Sequence, residues 1–74
     1  GGIALIDMPL ADALEALERR FGAELSTSED LAGRPTTFVT PRSMDLEEIL
    51  DAICFALDLR YRPILNGFQI ESSK

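Results

Sequence analysis

The chain has no histidine, so neither a Ser-His or Cys-His nucleophilic pair nor an imidazole metal site can form. Most hydrolase chemistry goes with it. A single cysteine, Cys54, allows no internal disulfide, and no metal-binding set is present to staple the fold in its place. Basic residues are scarce: seven lysines and arginines stand against thirteen acidic side chains, for a net charge of −6. That balance repels phosphate backbones and argues against nucleic acid as a partner. No apolar run is long enough to span a bilayer and no signal peptide is present, so direct membrane insertion by this segment is not expected.

Several loop signatures are missing as well. There is no glycine-rich phosphate loop, because Gly33 stands alone and Gly67 belongs to a hairpin signal. The GXXG loop of a KH-type RNA module is absent, and so is the Asp-x-Asp-x-Asp-Gly pattern of a calcium loop.

What the chain does have is a hydrophobic phrase that occurs twice, 36 residues apart: Met8, Leu10, Leu14, Ala16, Leu17, Phe21 and Leu25 return as Met44, Leu46, Leu50, Ala52, Ile53, Leu57 and Tyr61. Carboxylates recur with it, Asp12 and Glu15 aligning with Glu48 and Asp51. Each copy has helical spacing and runs into a short strand-like segment, so the chain reads as two helix-then-strand units. Seventy-four residues make one domain, and one this small buries only about 60% of its unfolded surface. The repeated apolar stripes must supply its core.

Residues 3–7 read as a first strand. Pro9 suits the first turn of a helix, and Leu10, Ala13, Leu14, Leu17 and Phe21 form its apolar stripe, with Asp12, Glu15 and Arg19 opposite. Glu15 and Arg19 are spaced for an i,i+4 pair, and Gly22 is the expected C-terminal stop. Residues 23–26 read as a second strand, residues 27–34 as a polar connection, and residues 35–40 as a third strand closed by Pro41.

Asp45 followed by Glu48 is a capping-box signal for a second helix, whose stripe is Leu46, Ile49, Leu50, Ile53, Cys54 and Leu57. Residues 59–65 then form a strand, and Asn66-Gly67 signals a two-residue hairpin pairing Leu65 with Phe68, Pro63 with Ile70 and Arg62 with Glu71. The expected architecture is α+β, in the order β-α-β-β-α-β-β, with two helices on one face of a mixed sheet.

Cys54 lies in the apolar stripe, where a thiol acts as a small hydrophobe; nothing nearby lowers its pKa. Phe55 is different. At 100° per residue it lies about 180° from Leu46, away from the core, with Asp51 one turn before and Asp58 one turn after. Glu48 belongs to the same carboxylate series, and no basic residue occurs between Ser43 and Leu59. One reading is a partner surface, an aromatic anchor within an acidic rim of Glu48, Asp51 and Asp58. The other is a tolerated surface aromatic, since single exposed hydrophobes are ordinary. Residues 68–71 could also present an open sheet edge to a partner strand, unless Glu71 and Lys74 blunt it.

Taken together, Pro9-Leu10, the run Leu17-Glu18-Arg19-Arg20-Phe21-Gly22, Phe38, the run Leu46-Glu47-Glu48-Ile49-Leu50, Tyr61 and Ile70 resemble the secretin/TonB short N-terminal (STN) domain superfamily. The chain looks most like the C-terminal domain of FecR-like anti-sigma regulators. The likeness extends from Ile3 to Glu71 and rests mostly on core positions, which specify fold better than activity. It implies a single domain over residues 1–74, excised from a longer chain, that works without a cofactor as a periplasmic, non-enzymatic signalling module. Its implied partner is the signalling domain of a TonB-dependent outer-membrane transporter, and the relay controls an extracytoplasmic sigma factor. Two sibling readings share the fold: the STN domain of the transporter itself, and a ring-forming secretin-type module.

Overall fold

The computed structural model describes residues 2–73. In chain order these form β1 (Ile3–Pro9), α1 (Leu10–Phe21), β2 (Glu24–Thr27), α2 (Glu29–Ala32), β3 (Pro35–Thr40), α3 (Leu46–Leu57), β4 (Leu59–Ile64) and β5 (Gly67–Ser72). The α+β class and the order of strands and long helices are those expected. The polar connection, however, contains the extra short helix α2. Its one large apolar residue, Leu31, is buried, which fastens the connection to the core although four residues are too few to show a helical period.

The strands form two sheets instead of one. β1 and β3 make an antiparallel ribbon, while β2, β5 and β4 make a three-stranded sheet in that order. In the sheet β2 runs parallel to β5, and β4 antiparallel to it. The last strand is therefore central, and its expected open edge does not exist; the edges belong to β2 and β4. Helix α1 touches β1, β3 and β2, whereas α3 touches β3 and β4. Side chains from both sheets and all three helices merge into a single core.

Local chemistry explains the helix ends. Gly22 closes α1 at φ 67, and its amide donates to the Glu18 carbonyl. Asp58, its equivalent in the second repeat, closes α3 at φ 58 with its amide on the Cys54 carbonyl. The duplication thus reaches the caps, although aspartate is a poorer left-handed residue than glycine. At the start of α3 the capping box forms as expected, with Glu48 Oε1 accepting from the Asp45 amide at 3.1 Å. Glu15 and Arg19 also pair at 3.2 Å, but both are exposed and the pair adds only a few tenths of a kcal/mol.

Arg34 joins the two halves. Its carbonyl accepts from the Leu10 amide at the head of α1 and from Thr36 Oγ1. Its guanidinium donates to the Leu57 carbonyl at 3.0 Å, placing a cation at the negative end of α3, whose last turn has none of its own.

In the ribbon, residues 6 and 7 face one residue of β3 between the pairs Leu5–Phe38 and Met8–Thr36. This bulge puts Asp7 at φ 48, with its amide on Thr37 Oγ1 at 2.9 Å, and leaves Ile6 facing water.

The hairpin register differs from expectation by two residues. Ile64 pairs with Gly67, Pro63 with Phe68, Arg62 with Gln69 and Arg60 with Glu71, so the loop is Leu65–Asn66. Asn66 takes the positive φ, 68°, which leaves Gly67 inside the strand. There glycine is required for another reason: a Cβ on Gly67 would collide with the backbone of Glu24. A shift of two preserves the alternation of faces, so Tyr61, Phe68 and Ile70 still point inward. Leu65, which the expected pairing with Phe68 would have put on that face, is 84% exposed. Arg62 still reaches Glu71 diagonally at 2.9 Å, with Arg60 at 3.4 Å, and the two arginines, Arg62 foremost, hold the Glu71 carboxyl below its ordinary pKa.

Candidate protein-interaction site

Helix α3 buries Ile49, Leu50, Ile53 and Cys54 and turns Phe55 outward. Phe55 is 91% exposed, more than any other large hydrophobic residue among those described. The helical pattern produces this directly, because the position lies opposite the stripe that packs on β3 and β4.

The carboxylates expected around Phe55 are all exposed, but they are not equivalent. Glu48 lies two turns away and is committed to the helix cap. Asp51, one turn before Phe55, accepts a hydrogen bond from the Tyr61 hydroxyl at 2.6 Å, so it leans toward β4. Asp58, one turn after, accepts from Ser73 Oγ through its carbonyl at 2.8 Å and through Oδ1 at 2.9 Å. Asp51 and Asp58 thus flank Phe55 one turn to either side, each engaged by a hydroxyl group, while Glu48 lies a further turn back at the helix cap. Tyr61 is the member that sequence reasoning assigned to the core alone. Its ring does pack edge-on against Phe68, with centroids 5.3 Å apart, while its hydroxyl reaches the helix surface.

The Tyr61–Asp51 contact has a titration signature. The hydrogen bond to Asp51, then burial and the charges of Asp51, Glu47 and Cys54, push the phenol up to about 12 from 10.0. A raised phenol pKa means that the folded state holds the proton more tightly. Its stabilisation is fully present below pH 10 and disappears as pH rises through about 12. The chain has one tyrosine and no tryptophan, so tyrosinate absorbance reports this group alone. Asp51→Asn is expected to move that midpoint back toward 10.0; an unmoved midpoint would mean that Asp51 is not the cause. Burial, and secondarily Asp51, also pushes the Cys54 thiol up to about 11, which leaves it protonated and unreactive at neutral pH.

The family described as FecR, C-terminal, matches residues 3–71. The chain belongs to this family. Two crystal structures of a candidate anti-sigma factor from Parabacteroides distasonis, at 1.65 and 2.50 Å, share the fold of this FecR C-terminal domain with TM-scores of 0.88 and 0.87. Identity to each is 20%, and the match covers 100% of this chain and 35% of theirs. The FecR C-terminal domain therefore spans about a third of the solved chains it matches. No curated protein matches it.

Proposed function

We propose that this FecR C-terminal domain is a non-enzymatic protein-interaction module of an anti-sigma regulator, and that it receives its signal in the periplasm from the signalling domain of a TonB-dependent transporter. Family membership favours this over the two sibling readings, the transporter's own STN domain and a secretin-type ring. The likeness in fold to a candidate anti-sigma factor points the same way. Among the described residues no helix is long and apolar enough to cross a membrane, so any anchoring would fall to other parts of a longer protein.

The observation that carries the reading is Phe55. An aromatic ring left 91% exposed beside Asp51 and Asp58 suits a partner patch that is apolar at its centre and basic at its rim. Asp58 adds to the argument: its left-handed φ of 58 favours glycine and the helix dipole there favours a cation, yet a carboxylate occupies the position. Calorimetric titration with the cognate transporter's periplasmic signalling domain tests this. Phe55→Ser is expected to weaken binding by roughly thirtyfold, as loss of a central aromatic anchor does, while the melting temperature stays nearly unchanged. Unaltered affinity would sink the α3 surface, and a collapsed melting temperature would return Phe55 to the core.

A further inference from the structure

A second surface, built from different residues, lies where β1 meets α1. Residues 2–5 together with Ala16, Leu17 and Arg20 line a groove of about 260 Å³. Successive residues of β1, pointing to both faces of the strand, take part and no β3 residue does, so the groove follows the edge of β1 that has no strand neighbour among the described residues. Such an edge displays backbone donors and acceptors to any extended chain laid beside it.

The usual protections of a sheet edge are missing over this stretch. Residues 2–5 read Gly-Ile-Ala-Leu, with no charge and no proline, and the bulge and Pro9 come only after them. The facing wall is equally permissive. Ala16 and Arg20 occupy the flank of α1 toward β1, one turn apart, whereas Glu18 on the other flank is committed to the Leu25 amide. Ala16 is small and half-buried, and its size keeps the groove open. Arg20 supplies the only charge among the lining residues, and it is positive on a chain of net −6.

We propose that this groove takes an extended acidic segment of a partner protein by strand addition to β1, with an apolar side chain over Ala16 and a carboxylate at Arg20. The backbone edge would supply affinity, and Ala16 and Arg20 the selectivity. This surface does not depend on the α3 reading, and either can fail alone.

The test uses the 74-residue chain, isotope-labelled for amide NMR, and the capped hexapeptide Thr-Val-Thr-Glu-Thr-Val, whose valines share a face with its glutamate. Its comparison peptides carry lysine in place of glutamate, or N-methyl groups on alternate amides. Shifts are expected at residues 3–5 and 16–20, with the glutamate peptide binding roughly fivefold tighter than the lysine peptide, as one partly exposed ion pair allows. The N-methylated peptide is expected not to bind. Arg20→Glu should invert the preference, and Ala16→Met should close the groove while the remaining spectrum is unchanged. Phe55→Ser should bind the peptide like the parent chain. Equal binding of the N-methylated peptide, shifts centred on α3, or no binding of the glutamate peptide would each overturn the proposal. So would a free chain that sediments as a dimer with its β1 amides protected, since a second copy would then occupy the edge.

Discussion

Truncating Leu50 to alanine should lower the free energy of unfolding by about 3–4 kcal/mol, the range for a leucine deleted from a packed interior. Leu50 is fully buried and lies midway along α3, which leans on β3 and β4. Both the lost transfer energy and the void left behind count against the variant, because the helix cannot settle toward one sheet without leaving the other. A domain of this length has roughly 4–11 kcal/mol in total at typical stability per residue, so the change would consume a large share of it. Urea denaturation should show a lower midpoint with an unaltered slope. Leu65→Ala is the control: the same truncation at a residue 84% exposed should stay within about 0.5 kcal/mol. Equal losses at the two positions would contradict the placement of the core.

Gly67→Ala is the second large effect, expected at about 3 kcal/mol, at the upper end for overpacking. Its Cβ would strike the backbone of Glu24, and the Glu24 amide beside it donates to the Asn66 carbonyl at 2.9 Å. The methyl group therefore has only one way out, which is to force β2 away from β5. Hydrogen exchange should accelerate along residues 24–27 before it does so across the β4–β5 pair. Asn66→Gly should instead be harmless, because Asn66 holds a left-handed φ of 68 that glycine adopts freely. If Gly67→Ala loosened the β4–β5 pair while residues 24–27 stayed protected, the glycine would be serving the turn, and the hairpin would have the register first suggested by the Asn-Gly signal.

That hairpin marks where the sequence could be read and where it could not. The stripes of α1 and α3, the stop at Gly22, the capping box at Asp45 and the outward turn of Phe55 all follow from spacing within one segment, and all are present. The division into two sheets, the central place of β5 and the role of Gly67 depend on contacts between segments far apart in the chain. An Asn-Gly pair looks like a turn from its neighbours alone; only the approach of β2 moves the glycine into the strand. The four residues of α2 were invisible for a different reason, having one apolar side chain and no period. At the candidate site, the acidic residues were legible as a group but their separate commitments were not. Asp51 and Glu48 look interchangeable on a helical wheel, and it takes Tyr61 and the Asp45 amide to distinguish them. The β1 groove had no signal beyond a small residue, Ala16, on the flank of an apolar stripe.

The pairing of β1 with β3 has a property that comes from the duplication. Ile3 pairs with Thr40 and Ala4 with Val39, yet in the 36-residue repeat Thr40 is the counterpart of Ala4 and Val39 the counterpart of Ile3. This is the reciprocal arrangement of a twofold-symmetric contact between identical partners. A polypeptide carrying only one copy would have no way to complete this ribbon except with a second molecule of itself, and would be folded only where its concentration sufficed. Tethering the copies through the connection at Arg34 makes the same contact unimolecular, so the ribbon persists at any dilution.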